Sequence, residues 1–325
     1  MMTGEKCVMG ITKNHQSDEI LIRLAKAAFP DRQVRQLTEL TEGMFNAAYR
    51  IDYTDGTASI LKVAAANRDG LMTNEIELMR AEVTTMELLR RHGIPHVPSV
   101  QFSDFSRTLC SGTYFFMEVI PGRSLSSAAG ELPAETVDAV MREVGSFQRL
   151  TTAIHRDTFG LAGDARKFAT LYELERYMLG NVLGDAARMG LSFCFTPEEL
   201  LAHLARDRAC FDRVTTPSLV HQDMWAGNIF VQEGRLSGVI DWERTLWGDP
   251  LMDDPFRSPN QHPAFLAGYG KTGFTPEEQR RILWYDVFLD LTMYTESFYR
   301  QYVNEGWLQV LQQRLAQTWK ALQAE

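Results

Sequence analysis

Eight residues, His221-Gln222-Asp223-Met224-Trp225-Ala226-Gly227-Asn228, constrain this chain more than any other stretch, because a strand-turn-strand pattern leads directly from them to Asp241. They read H-x-D-x-x-x-x-N. The segment Ile229-Phe230-Val231, a turn at Glu233-Gly234, and Leu236 to Ile240 then read as a hairpin. That hairpin carries Asp241 back to the point the chain has just left. A fold containing it must bring Asp223 and Asn228 together from opposite ends of one loop and add Asp241 from a strand end. Asp and Asn in loops often do no more than cap turns. Three ligand-type side chains at this spacing beside a hairpin outweigh that reading.

The chemistry that needs such a set is phosphoryl transfer from ATP. One carboxylate, Asp223, orients and deprotonates the attacking hydroxyl. The amide oxygen of Asn228 and the carboxylate of Asp241 are hard ligands suited to holding magnesium on the nucleotide phosphates.

Composition narrows the partners. At 325 residues, with 45% apolar and 23% charged residues, the chain suits one large or two modest globular domains with a buried core. A net charge of −9 argues against a nucleic-acid partner and is compatible with a cationic one, although acidity also serves solubility. The first twenty residues lack the apolar stretch of a signal peptide, and no apolar run is long enough to span a bilayer. Cys7, Cys110, Cys194 and Cys210 show neither C-x-x-C nor zinc spacing. Reduced thiols, a cytoplasmic location and no membrane partner are therefore expected.

The order of patterns predicts an α+β chain. Ser17 to Ala28 has helical spacing behind a Ser17 or Asp18 cap. Leu37 to Val63 reads as antiparallel hairpins with a turn at Thr54-Asp55-Gly56. Glu75 to Arg91 is helical, and Val97 to Ile120 gives two more strands broken at Ser103 to Ser106. After Pro121-Gly122 the chain turns mostly helical, with Pro133 to Leu150 a clear amphipathic case. The expectation is a nucleotide-binding lobe over 1–119 with a five-stranded antiparallel sheet. A larger helical lobe over 120–325 carries the catalytic loop and acceptor site, with nucleotide between the lobes.

Three further segments suit a nucleotide. Thr41 to Asn46 is a glycine-containing turn between strands, and Gly43 and Asn46 are candidates to cover phosphates, although an ordinary hairpin turn fits the same residues. Lys62 interrupts the apolar strand Ile60-Leu61-Lys62-Val63 and needs either an edge position or a partner. Glu82 and Glu87 are candidates for that partner, with Glu75 and Glu77 behind them. Phe115 to Gly122 is an apolar strand whose Glu118 carbonyl and Ile120 N–H suit an adenine edge; a plain core strand is the alternative.

From about Leu37 to Tyr302 the chain resembles the aminoglycoside phosphotransferase family, which has the bilobal protein-kinase-like fold: a small antiparallel-sheet lobe and a larger, mostly helical one. The resemblance rests on His221, Asp223 and Asn228, on Asp241-Trp242, and on Gly248-Asp249-Pro250-Leu251-Met252-Asp253, similar to the family's G-D-P-x-x-D. Met117 to Gly122, Ile94 to Pro98, and His155 with Phe159-Gly160 support it. It implies Asp223 as base, Asn228 and Asp241 as magnesium ligands, and Lys62 on the phosphates with Glu82 as its partner. It further implies that His221 and Asp249 brace the loop. Two positions depart from the family pattern: Gln222 stands where Gly is usual and Trp225 where His is usual. A Trp there occurs in the related fructosamine kinases. Protein kinases place Lys or Arg at that position, which moves the expected acceptor from a protein to a small molecule.

Other motifs carry less. Gly268-Tyr269-Gly270-Lys271-Thr272-Gly273 satisfies G-x-G-x-x-G, but no buried strand precedes it, so a loop before the Thr275-Pro276 helix start accounts for it better. Trp284, Tyr285, Phe288, Tyr294 and Phe298, with Asp286, Asp290 and Glu296, suggest either a core stripe or a wall for a cation; the spacing favours core with some carboxylates facing the cleft. The expected activity is ATP- and magnesium-dependent phosphorylation of a hydroxyl on a small molecule: aminoglycoside-like, an amino alcohol or a sugar, cationic or polyhydroxylated. The alternatives are a catalytically weak nucleotide-binding regulator of the same fold and a protein kinase.

Overall fold

A computed structural model describes residues 11–43, 45–301 and 304–324. Cys7, Met44, Tyr302 and the first half of the N-terminal segment that lacks a signal-peptide pattern lie outside the described residues. The chain forms two compact units.

The first unit takes in the described residues of Met1–Met72, Pro98–Val119 and Glu296–Glu305. Helix α1 (Asp18–Ala28) starts where Ser17 accepts from the Ile20 N–H, with Asp18 and Glu19 in the first turn, where negative charge suits the helix dipole. Strands β1 (Val34–Leu40), β2 (Ala47–Tyr53), β3 (Ala58–Val63), β4 (Val100–Asp104) and β5 (Tyr114–Glu118) form one antiparallel sheet in the order β1-β2-β3-β5-β4. Along β2 every second residue is buried, and Tyr49, Ile51 and Tyr53 join Leu61, Val63, Tyr114 and Phe116 against Leu21 and Leu24 of α1. Alternation therefore puts Lys62 on the sheet face opposite that cluster.

The second unit takes in the described residues of Thr73–Val97, Ile120–Thr295 and Gly306–Glu325. It begins with α2 (Leu78–Arg91), three residues later than the sequence pattern implied. Thr73 and Asn74 are tied instead to Asp185 and to the Met178 carbonyl, and Glu77 takes a left-handed φ of 47° that delays the helix. The chain continues through β6 (Arg123–Ser124), α3 (Leu125–Ala128), α4 (Ala134–Thr152), β7 (Gly160–Leu161), α5 (Leu171–Arg188), α6 (Pro197–Arg206), α7 (Arg208–Phe211) and β8 (Ser218–Val220). Next come β9 (Ile229–Gln232), β10 (Arg235–Val239), β11 (Leu246–Gly248), α8 (Pro263–Tyr269), α9 (Pro276–Tyr299) and α10 (Glu305–Gln323). The short strands make two three-stranded sheets, β10-β9-β6 and β7-β11-β8. Only the β9–β10 hairpin had a sequence signal, since two- and three-residue strands are too short to show a period. The class is α+β, one unit rich in sheet and the other mostly helical.

The discounted glycine motif has a packing explanation. Gly268 lies on α8 where a Cβ would stand 2.0 Å from the Arg142 carbonyl oxygen of α4, and Gly145 of α4 meets the Phe265 carbonyl oxygen as closely, at 2.1 Å. Gly270 ends α8 in the left-handed conformation. These glycines serve helix packing and a C-cap rather than phosphate binding.

Asp286, Asp290 and Glu296 of α9 do not form an unpaired acidic wall for a cation. Asp286 pairs with buried Arg257 at 2.7 Å and Asp290 with Arg314 at 2.8 Å, while Glu296 pairs with Arg300 at 3.3 Å. Trp284 and Leu291 are fully buried, so the aromatic stripe is core. In the same layer Glu175 of α5 is fully buried, and neither carboxylate oxygen has a hydrogen-bond partner. Burial pushes its pKa from 4.5 up to about 8, with Arg257 pulling it down and Asp249 adding to the rise. The unfolded chain therefore releases this proton well before the folded chain does, and raising pH across that window withdraws stability. Replacing Glu175→Met should raise stability, and with it the melting temperature, by about 1 kcal/mol or more at pH 9 and by less at pH 6. Thermal unfolding at both pH values checks this; a gap independent of pH would rule out Glu175 as its source.

Candidate active site

Strand β8 delivers the chain into His221. The imidazole is fixed from both sides: Nδ1 accepts the Asp223 N–H at 3.2 Å, so Nε2 carries the proton and donates to the Ile240 carbonyl at 2.9 Å. Its ring lies tilted against Trp242 at a centroid distance of 4.4 Å, and the Trp242 indole N–H donates to the Val239 carbonyl. His221 thus joins the loop to the strand that returns Asp241. Gln222 has a φ of 69°. A left-handed position suits Gly, the residue expected there from the family pattern, and Gln holds it at a cost of about 1 kcal/mol.

The Asn228 amide closes the loop. Its Nδ2 donates to the Asp223 carbonyl at 2.8 Å and to the Asp223 carboxylate at 3.1 Å, leaving Oδ1 for a cation. The Asn228 carbonyl accepts the Ile240 N–H at 3.0 Å, which registers the end of β10 against the loop and sets Asp241 beside it. The turn between β9 and β10 has positive φ at both Glu233 and Gly234, the geometry a two-residue hairpin favours. Asp241 is itself left-handed, φ 68° and ψ 56°, opening a 3-10 turn over Trp242–Arg244. A non-glycine residue held there stores about 1–3 kcal/mol of strain, as functional positions often do.

Asp241 has company that the sequence did not announce. Carboxylate oxygens of Glu82, Asp241 and Glu243 lie within 4.8 Å of one another; Glu82 is fully buried and Glu243 is 4% exposed. Among the described residues no other His, Cys, Asp or Glu set meets that spacing. Hard oxygens gathered this closely fit a divalent cation. Glu82, one of four glutamates considered for Lys62, is thus the one placed at Asp241. Glu75 pairs with Arg244, Glu77 lies next to Arg80, and Glu87 next to Arg91.

The brace beneath the loop is Asp253. Fully buried, its Oδ2 accepts from the His221 N–H at 3.2 Å and the Gln148 side-chain amide at 2.9 Å, and its Oδ1 from the Met224 N–H at 3.4 Å and the Asp254 N–H at 3.0 Å. Burial pushes its carboxyl up to about 7 despite these donors. Asp249, expected to share the bracing with His221, faces elsewhere: it accepts from Arg281, the Tyr285 hydroxyl and the Leu251 N–H, tying the loop's sequel to α9. The reason is register, since Pro250–Met252 forms a 3-10 turn that separates the two aspartates. Asp253 closes the quoted G-D-P-x-x-D segment but carried no assigned role, and Gln148 gave no sequence signal.

The remaining candidates lie apart in sequence. Lys62 is 7% exposed on the central strand β3, opposite Ala48 and Phe115, so its strand is not an edge. Gly43 is exposed and Asn46 buried in the turn before β2. The Glu118 N–H donates to the Ser99 carbonyl, and its carboxylate accepts from the Ser99 hydroxyl. Ile120, in the second unit, packs its side chain on Gly238. Trp225 is 48% exposed in the middle of the loop, its indole lying so close over Gly227 that a Cβ there would fall 2.2 Å from the ring.

A loop closed by Asn228 on Asp223, with a carboxylate returned by a hairpin, on an α+β chain with a five-stranded antiparallel sheet, defines a phosphotransferase of the kinase-like class. The chain belongs to the phosphotransferase enzyme family, whose model matches residues 36–254. Solved structures agree in fold. The apo form of a thermostable mutant of aminoglycoside phosphotransferase APH(4)-Ia superposes with a TM-score of 0.65 at 19% identity, covering 95% of this chain and 100% of that one. The streptomycin–ATP–APH(2")-IIa ternary complex gives 0.60 at 17% identity, covering 95% and 96%. A putative fructosamine-3-kinase from Thermobifida fusca YX-ER1 gives 0.62 at 18% identity, covering 91% and 98%. No curated protein matches the chain. Among the described residues no helix is long and apolar enough to cross a membrane.

Proposed function

We propose that the protein transfers the γ-phosphoryl group of ATP to a hydroxyl of a small, polyhydroxylated acceptor, with magnesium as cofactor. The observation that carries this reading is the Asn228–Asp223 bond in a loop registered to Asp241 through Ile240. Solved relatives hold the corresponding ligands: APH(4)-Ia with ADP and hygromycin B, and APH(2")-IIa with streptomycin and ATP.

Asp223 accepts the proton of the attacking hydroxyl, a contribution of about 10²–10⁴-fold. Its carboxylate is held by the Asn228 amide, so it is oriented before the acceptor arrives. The Asn228 Oδ1 and Asp241 carboxylate fit magnesium, with Glu82 and Glu243 adding negative charge next to Asp241. When bound, the metal neutralises charge on the phosphates. Lys62, Gly43 and Asn46 are assigned to the phosphates, and the Glu118 carbonyl and Ile120 N–H to the adenine edge. The exposed Trp225 face beside Asp223 favours an acceptor with a ring to lay against it. With Asp286 and Asp290 already paired to arginines, hydroxyl-rich acceptors are favoured over purely cationic ones. The test is coupled ADP release over aminoglycosides, amino alcohols and sugars, with magnesium present and then chelated. Acceptor-stimulated release that stops on chelation is expected. ATP binding without release for any acceptor would favour a non-catalytic, nucleotide-binding role.

A further inference from the structure

Among the described residues Arg156 is a cation without a counterion. Its main-chain N–H donates to the Pro217 carbonyl at 3.2 Å, just ahead of β8, and its Nε donates to the Thr158 carbonyl at 2.7 Å. The guanidinium carbon lies 5.1 Å from the centre of the Trp247 ring. Nη2 is buried with no hydrogen-bond partner. Burial alone displaces its pKa, downward, and no carboxylate opposes that shift.

A second cation stands beside it. The Lys167 Nζ donates to the Asp164 carbonyl at 2.9 Å, leaving two donors unused. Burial and then the charge of Arg156 both lower its pKa, and Asp164 only partly offsets them. The Asp164 carboxylate is already taken by the Arg166 N–H at 2.9 Å and the Tyr177 hydroxyl at 3.0 Å. Both side chains reach Gly160: a Cβ there would lie 3.3 Å from Arg156 Nη2 and 3.8 Å from the Lys167 Cδ, with the Arg166 carbonyl oxygen at 2.9 Å. A partly buried guanidinium is costly unless paired, and its planar fork matches a carboxylate or phosphate edge.

We propose that Arg156 and Lys167 bind a small oxyanion, a phosphate or carboxylate group, over Gly160 and Trp247. Gly160 of β7 pairs with Trp247 of β11, which pairs with Leu219 of β8, the strand that enters the His221 loop. An occupant would fasten the sheet from which that loop departs. This site is separate from the groups assigned to the nucleotide and does not depend on the phosphotransfer reading.

The test is thermal unfolding of the full chain at constant ionic strength, titrated with inorganic phosphate, glucose 6-phosphate or glucuronate. Wild type should gain melting temperature saturably with at least one of them. Arg156→Gln and Lys167→Gln should each weaken that response by roughly tenfold or more. In buffer free of phosphate and carboxylate Arg156→Gln should melt no lower than wild type, because an uncompensated charge has been removed. A response to inorganic phosphate equal to that of the ester identifies free phosphate as sufficient; a stronger response to glucose 6-phosphate or glucuronate identifies an anionic group carried on a sugar. Anion responses unchanged in both variants would overturn the proposal. So would an Arg156→Gln variant that melts lower while keeping the full response, the behaviour of a clamp on Trp247. Should Arg156→Gln not fold, Lys167→Gln, whose side chain is exposed, decides alone.

Discussion

Asp223→Asn is expected to lose about 10²–10⁴-fold in kcat while nucleotide affinity stays within about twofold of wild type. The amide can still accept from Asn228 Nδ2 through its oxygen, so the loop keeps its bond; what it loses is the basic oxygen that takes the acceptor's proton. Calorimetric titration with ADP beside steady-state ADP release separates the two effects. Near-full turnover in the variant would remove Asp223 from the role of base. A parallel collapse of ADP binding would mean that the change had disturbed the loop rather than the chemistry.

The second large effect is expected at Asp253, which touches neither nucleotide nor acceptor in the proposed scheme. Each carboxylate oxygen accepts two N–H groups, His221 and Gln148 on one, Met224 and Asp254 on the other. In Asp253→Asn one of those pairs faces an NH₂ instead. Two or more buried donors are then left opposed, at about 3 kcal/mol or more in stability. The loop shifts with them, and a displacement of about 1 Å at Asp223 lowers kcat by about 10²-fold. Asp249→Asn is the informative control. It should lower the melting temperature through Arg281 and Tyr285 yet leave kcat within about threefold, because nothing from Asp249 reaches the loop. Equal losses of kcat in the two variants would contradict the assignment of the brace to Asp253.

The contrast between these two aspartates shows where sequence reading loses resolution. Both stand in Gly248-Asp249-Pro250-Leu251-Met252-Asp253, and motif similarity treats the segment as a block. Which one turns under the loop depends on a 3-10 turn whose direction is set by packing on α9 and α4. Gln148 is a comparable case: on an amphipathic helix it reads as a polar interruption of the apolar face, and only the facing Asp253 gives it purpose. Asp286 and Asp290 of α9 were legible as charges near aromatics, but their arginine partners, Arg257 and Arg314, lie about 25 residues away in sequence, beyond any local pattern.

Helices α1 and α4, the β9–β10 hairpin and the central strands were legible, because caps, 3.6-residue spacing and period-2 alternation are local properties. The short strands β6, β7, β8 and β11 were not, since pairing rather than pattern makes them strands. The departure at Gln222 sits between the two cases. Its oddity was visible against the family, and its meaning, a positive φ borne without glycine, needed the backbone.

The sequence alone determined the class of chemistry and the α+β character of the chain, because both rest on residue types at short, fixed spacing: His221 to Asn228, the hairpin, and Asp241. Tertiary structure decided which groups stand around that motif. It placed Glu82 and Glu243 against Asp241, turned Asp253 rather than Asp249 beneath the loop, and left Arg156 beside Lys167 with no carboxylate to answer its charge. Those outcomes depend on contacts between residues far apart in the chain, where burial and the pairing of charge, not local propensity, fix the arrangement.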